Sequence, residues 1–110
     1  MSIRIGAGCM FANGVIIRTS DSHPIFNMGG ERIYPPSPVI VGDRVWLAQQ
    51  VMVMKGVHIG EGSILGARSL VTKEVPSNVL AVGSPCRVVK EGVYWSHDHL
   101  FGPLSGSKNS

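Results

Sequence analysis

Charge is scarce in this sequence: Asp, Glu, Lys and Arg together make up 15% of the residues and aromatic side chains only 6%, against 44% hydrophobic residues. A chain this apolar and this weakly charged does not fit intrinsic disorder and is expected to fold, alone or with copies of itself. Ten Lys/Arg against seven Asp/Glu leave a net charge of +3. The cations form no cluster and no interleaving with aromatics, which argues against a nucleic-acid partner and favours an anionic small ligand over a polyanion. Only two cysteines occur, Cys9 and Cys86. They allow at most one bridge and match neither a CxxC redox pair nor a zinc-ligand spacing, so both are expected to be buried thiols with no metal bound. No apolar run approaches the roughly 18 to 20 residues that span a bilayer, and the opening MSIRIGAG lacks the apolar stretch of a signal peptide. The expectation is a cytoplasmic protein without a membrane partner. At 110 residues, one domain is expected and a separate cofactor domain is excluded.

What is present is a repeat of period six. From Val41 the chain reads VGDRVW, LAQQVM, VMKGVH, IGEGSI, LGARSL and VTKEVP, with aliphatic leads Val41, Leu47, Val53, Ile59, Leu65 and Val71. The fifth positions, Val45, Val51, Val57, Ser63, Ser69 and Val75, are all small or β-branched. Leu, Ile and Val form about a quarter of the chain, so six such leads in one register arise by chance only a few times in ten thousand. Glycine or alanine stands second at Gly42, Ala48, Gly60 and Gly66, as suits a corner that needs either positive φ or close backbone approach. A helix requires period 3.6, which this run does not satisfy. Short strands joined at regular corners do satisfy it: every lead points inward and successive coils stack through parallel ladders, which is a β-solenoid. IGAGCM and FANGVI from Ile5 keep the same pattern, and Ile17 begins another hexad.

The repeat is interrupted at residues 20–38 by SDSHPIFNMGGERIYPPSP, with four prolines and a Gly-Gly pair. An excursion near twenty residues inside a small domain is usually functional, which singles out Asp21, His23, Arg32 and Tyr34. The expected organisation is a solenoid over residues 1–78 carrying the excursion at 20–38, a C-terminal extension at 79–101 packing on it, and a disordered tail at 102–110.

The segments TSDSHPI, VGDRVWLAQQVMVMKGV, GARSLVTKEVP and GSPCRVVKE, in this order, resemble the hexapeptide-repeat acyltransferases, in particular the sugar and polysaccharide O-acetyltransferases. The likeness covers residues 3 to about 98. It implies an all-β fold, a left-handed parallel β-helix with three hexads per coil, and an acetyl-CoA-dependent O-acetyltransferase acting on a hydroxyl of a saccharide or similar acceptor. It implies His23 as catalytic base and Trp46 as the aromatic beside the acetyl-CoA groove. Ala67 is implied to line the pantetheine arm with its backbone, Thr72 and Lys73 to meet the lower pantetheine and phosphates, and Arg87 and Lys90 to meet the adenosine end. A homotrimer is implied as well, with His23 of one chain facing the Trp46 and Lys73 side of another. The pattern departs from the family at Ala48 and Gln49, where glycine and a small polar residue are usual. It also opens at Ile3 or Ile5, where relatives carry further coils or helices ahead of the histidine.

Chemistry supports part of this. Coenzyme A carries a diphosphate and a 3′-phosphate, and the segment holding Lys73, Arg87 and Lys90 suits either an anion site or a solvated charged rim. Imidazole is the side chain best able to be neutral near pH 7 and accept a hydroxyl proton, which makes direct transfer without an acyl-enzyme feasible. Asp21 either orients the His23 ring or makes a local Asx turn. His58 is expected exposed at a corner, His97 and His99 as a surface pair, and Trp95 as an interface anchor or a cover for the solenoid end. Two other readings stand beside the transferase: a non-catalytic β-helix scaffold, and a γ-type carbonic anhydrase, whose three-histidine spacing these residues do not show.

Overall fold

Hexads of extended chain bounded by corners leave room for strands of two or three residues, and the strands of the repeat are that short. The structure, a computed structural model, describes residues 2–97. Its first coil holds β1 (Ile3–Ile5), β2 (Met10–Phe11) and β3 (Ile16–Ile17), after which a hairpin of β4 (Ile25–Phe26) and β5 (Arg32–Ile33) interrupts. The second coil holds β6 (Val39–Val41), β7 (Trp46–Leu47) and β8 (Met52–Val53), and the third β9 (His58–Ile59), β10 (Ile64–Leu65) and β11 (Leu70–Val71). Two longer strands follow, β12 (Val79–Gly83) and β13 (Cys86–Glu91).

Parallel stacking of β1, β6 and β9 makes a first face, of β2, β7 and β10 a second, and of β3, β8 and β11 a third. Val41 lies on Ile59, Leu47 on Leu65 and Val53 on Val71, so one coil is eighteen residues, or three hexads. Ile5 lies on Val41 and Phe11 on Leu47, twice that spacing, because the excursion occupies the difference. The stack extends beyond the hexads: β12 pairs in parallel with β10, and β13 folds back antiparallel on β12. Leu80 sits on Ile64, so this coil is two residues short, which is why the period is lost from the sequence while the pairing persists.

The inward rows are the ones the repeat indicates. All six leads and all six fifth positions are buried, none more than 3% exposed. Ser63 and Ser69 are buried without an orphaned hydroxyl: Ser63 Oγ donates to the Pro76 carbonyl, and Ser69 Oγ accepts the Gly83 N–H at 3.1 Å. Both bonds tie the closing segment to the third coil. Cys9 and Cys86 are half-buried rather than buried, and both are free. Cys9 belongs to the first coil, whose Phe11, Val15 and Ile17 are likewise only partly covered because a described coil lies on one side alone.

The corners decide between the two roles open to glycine. Left-handed φ belongs to the fourth hexad position, at Arg44, Gln50, Gly56, Gly62 and Arg68, with φ between 56° and 76°. The second position is where backbones approach: a Cβ on Gly42 would lie 2.9 Å from the Glu61 nitrogen, and one on Gly60 2.5 Å from the Ser77 nitrogen.

After β13 the chain returns along the edge between the first and second faces. Val93 N–H donates to the Asn78 carbonyl at 3.0 Å, Trp95 Nε1–H to the Arg44 carbonyl at 2.6 Å, and His97 Nε2 lies 3.1 Å from the Gly8 carbonyl. Trp95 is 6% exposed, so this segment is a strap clasping the last coil to the first. Trp95 therefore covers an edge of the solenoid rather than its end. His99 and the tail at 102–110 lie outside the described residues.

Candidate active site

The excursion leaves the solenoid after β3 and re-enters before β6, at the edge between the third and first faces, where the Ser37 N–H closes its neck on the Thr19 carbonyl at 3.0 Å. Its arms are paired, Ile25 opposite Ile33 and Phe26 opposite Arg32. At the tip, Asn27 Oδ1 accepts the N–H groups of Gly29 (2.9 Å) and Glu31 (3.0 Å). Two residues near its base, Ser22 (φ 75°) and Tyr34 (φ 50°), are left-handed without being glycine. Such residues cost on the order of 1 to 3 kcal/mol each unless their surroundings hold them. Here they are held: Arg18 Nη2 donates to Ser22 Oγ at 2.6 Å, and Lys55 Nζ donates to the Tyr34 carbonyl. Between them lies His23, lining a cavity of about 180 Å³ together with Asp21, Ser22, Arg32 and Tyr34.

Lys55 is the residue that sequence reasoning missed. It stands at the corner between the third and first faces of the second coil, directly along the edge from which the excursion emerges, and only 17% of its side chain is exposed. Its ammonium pairs with the Asp21 carboxylate, bonds the Tyr34 carbonyl and lies 5.5 Å from the Tyr34 ring centroid. The signal that could have found it is the eighteen-residue coil, which puts Lys55 and Lys73 on one edge. Asp21 takes a different partner from either one expected: its carboxylate goes to Lys55, not to the His23 imidazole or to a local turn. Its place is to anchor the excursion, and through it to hold the position of His23.

The other expected site residues fall on different sides of the coil. Trp46 lies on the second face, in register with Met10 and Ile64, and its ring centroid is 5.9 Å from that of Trp95. Ala67 is exposed at the edge between the second and third faces. Arg87 pairs with Val82 near that same edge, where Gly66 donates to the Ala81 carbonyl, and Lys90 pairs with Leu80. Thr72 and Lys73 stand at the opposite end of β11, one coil beyond Met54 and Lys55. Lys73 is therefore on the edge that carries His23, not on the Trp46 side as expected. His23 and Trp46 do not meet within one chain, because the edge bearing the excursion is the one opposite the second face.

Lys73, Arg87 and Lys90 are exposed and make no ion pair among the described residues. Such free cations on one solenoid have the chemistry a polyphosphate ligand needs. The described histidines do not converge: His58 is exposed on the first face, on strand β9 rather than at a corner, while His97 lies against Gly8 on the edge between the first and second faces. Among the described residues no three His, Cys, Asp or Glu side chains come close enough to hold a metal ion. Burial pushes the Cys86 thiol above the ordinary cysteine range.

Residues 38–73 match the family model described as bacterial transferase hexapeptide (six repeats). Polysialic acid O-acetyltransferase of Escherichia coli O1:K1 is 42% identical over 97% of this chain and 35% of its own length. The repeat of this transferase family is thus present over residues 38–73, and the likeness to its members extends over nearly the whole chain. Among solved members, the polysialic acid O-acetyltransferase OatWY superposes with a TM-score of 0.88 at 35% identity, over 96% of this chain and 51% of that one. A galactoside acetyltransferase solved in complex with coenzyme A superposes with a TM-score of 0.71 at 34% identity, over 81% of this chain and 44% of that one. The chain thus spans between about a third and a half of the length of these hexapeptide-repeat relatives. Its coil is a left-handed parallel β-helix, as theirs is.

Proposed function

We propose that the chain is, or is part of, an acetyl-CoA-dependent O-acetyltransferase that acts on a saccharide hydroxyl with His23 as general base. The observation that carries this reading is the placement of His23: it lines a cavity at the base of the excursion, whose backbone is tied at Ser22 by Arg18 and at Tyr34 by Lys55. A base must be held still relative to the proton it removes, and a histidine in a loose loop would not be. The relatives named for O-acetyl transfer, and the one solved with coenzyme A, support the reaction class.

Acetyl-CoA supplies a thioester carbonyl already activated toward an alcohol. The imidazole of His23 accepts the proton of the acceptor hydroxyl as its oxygen attacks, and returns it to the departing thiolate. No acyl-enzyme is needed, since the attacking oxygen belongs to the acceptor. Lys73, Arg87 and Lys90, free of acidic partners, would neutralise phosphates, while Thr72 and the exposed backbone at Ala67 would border the pantetheine arm. Trp46 would flank the thioester. Because His23 and Trp46 lie on opposite sides of the coil, the groove is completed by a second copy, and a homotrimer gives each of three grooves one His23 and one Trp46.

Thermal unfolding with coenzyme A and with dephospho-coenzyme A tests the reading. A ligand at a hundred times its Kd stabilises the native state by about 2.7 kcal/mol, a rise of several degrees. Arg87→Ala and Lys73→Ala should shrink the rise, less so for dephospho-coenzyme A if either meets the 3′-phosphate. An unchanged melting temperature with both ligands leaves only the scaffold reading. A monomer by light scattering that still transfers acetyl would remove the shared groove.

A further inference from the structure

The backbone of Trp46 is fixed on the second face, where its N–H donates to the Ser63 carbonyl at 2.9 Å. Its indole is only half-buried, and its neighbours in register are Met10, 37% exposed, and Ile64. A methionine adapts to whatever shape it meets, so this row does not set the plane of the ring. Trp95 does: the two ring centroids lie 5.9 Å apart with 47° between the planes, within the range of favourable aromatic pairs. Trp95 is itself held. Its Nε1–H donates to the Arg44 carbonyl at 2.6 Å, its own carbonyl accepts Arg44 Nη2 at 3.4 Å, and the His97 ring meets it edge-on with centroids 4.4 Å apart. Both supports end on the first coil, His97 on the Gly8 carbonyl and the Arg44 N–H on the Ala7 carbonyl at 2.8 Å. Resting on the acetyl-transfer reading above, which puts Trp46 beside the thioester, we propose that Trp95 is a positioning residue for acetyl-CoA. It holds the Trp46 indole in one orientation, and the strap thereby pre-forms part of the cofactor groove.

The support leaves Trp46 usable. Trp95 reaches it from the edge between the first and second faces, whereas Ala67 stands at the other border of the second face with Arg87 near it. The strap and the groups assigned to the cofactor therefore stand on opposite borders of the face that carries the indole. A side chain that must meet a ligand in one geometry gains from rigid neighbours, because its freedom is then lost in folding and not in binding. Trp95, 6% exposed and bonded at both its ring nitrogen and its carbonyl, is such a neighbour.

Trp46 and Trp95 are the two tryptophans of the chain, so the tryptophan bands of its near-UV dichroism report this pair alone. In the wild-type protein, acetyl-CoA should change those bands as it raises the melting temperature. Calorimetric titration with acetyl-CoA should show binding about fivefold weaker in Trp95→Leu, which fills space without a ring, and within about twofold of wild type in Trp95→Phe, which keeps one, since an aromatic contact is worth a factor of that order. In a Trp46→Ala background, Trp95→Leu should weaken binding no further, because a residue that acts through Trp46 then has nothing to act on. Unchanged affinity in Trp95→Leu, or a loss of the same size without Trp46, overturns the proposal. If Trp95→Leu does not fold, the wild-type bands decide. Acetyl-CoA that raises the melting temperature without altering them binds away from the pair, so the positioning role falls while acetyl-CoA binding stands. Neither a thermal shift nor a change in the bands refutes the acetyl-CoA reading and this assignment with it.

Discussion

Removing the indole of Trp95 should cost the solenoid a large part of its stability, although Trp95 is not part of any hexad. A tryptophan this buried covers about 200 Å² of apolar surface, worth about 5 kcal/mol at 25 cal/mol per Å² as an upper bound. Measured Trp→Ala losses run from about 3 to 5 kcal/mol. Trp95 covers an edge of the solenoid and is not part of its inward rows, so its surroundings relax more readily than the core would, and Trp95→Ala is expected near the lower value, about 3 kcal/mol. Trp95→Phe keeps most of the ring contact with Trp46 but loses the Nε1–H bond to the Arg44 carbonyl. It should cost about 1 kcal/mol, the usual net worth of one such bond. The assay is urea unfolding followed by far-UV circular dichroism at fixed protein concentration, since an assembling protein gains stability by mass action. Trp46 adds a second readout: its near-UV dichroism should change in both variants, because its neighbour at 5.9 Å is replaced. A loss below about 1 kcal/mol for Trp95→Ala would refute the strap as a clasp across the coils.

Lys55→Ala should loosen the excursion, at a cost of about 1 to 2 kcal/mol, since Asp21 is 26% exposed and water replaces part of the lost pair; amide hydrogen exchange over residues 20–37 should speed up while the coil amides do not change. Gly60→Ala should destabilise by more than Ala at an ordinary exposed turn, because its Cβ would press on the Ser77 backbone; an unchanged melting temperature would remove close approach as the reason for glycine there. Cys86 stays protonated in the folded state above the pH at which an unfolded cysteine ionises. Its contribution to stability is therefore full below the unfolded thiol pKa and is lost as pH rises through the folded one, and native Cys86 should alkylate more slowly at pH 8 than in urea.

The fold was readable because its signal repeats. Six aliphatic leads and six small fifth positions each report the same inward geometry, so period and core emerge together. What repeats less was less readable. Gly56 and Gly62 share the fourth position with Arg44, Gln50 and Arg68, so composition does not reveal that left-handed φ resides there. β12 escaped because its coil is two residues short. His23 stood out through its motif and its long excursion, yet what fixes it did not: Lys55 and Asp21 are 34 residues apart and meet only once the coil is wound. The separation of Trp46 from His23 is likewise a property of three faces and three edges, and no local pattern encodes it.

The most direct test of the account is acetyl transfer by His23→Ala, measured with acetyl-CoA and a saccharide acceptor at saturating concentrations of both. Removing a general base typically lowers the rate about a hundred- to ten-thousand-fold. The account predicts a loss of this size with acetyl-CoA affinity nearly unchanged, since His23 lines the excursion cavity and none of Lys73, Arg87 and Lys90 does. Transfer at the wild-type rate in this variant would contradict it.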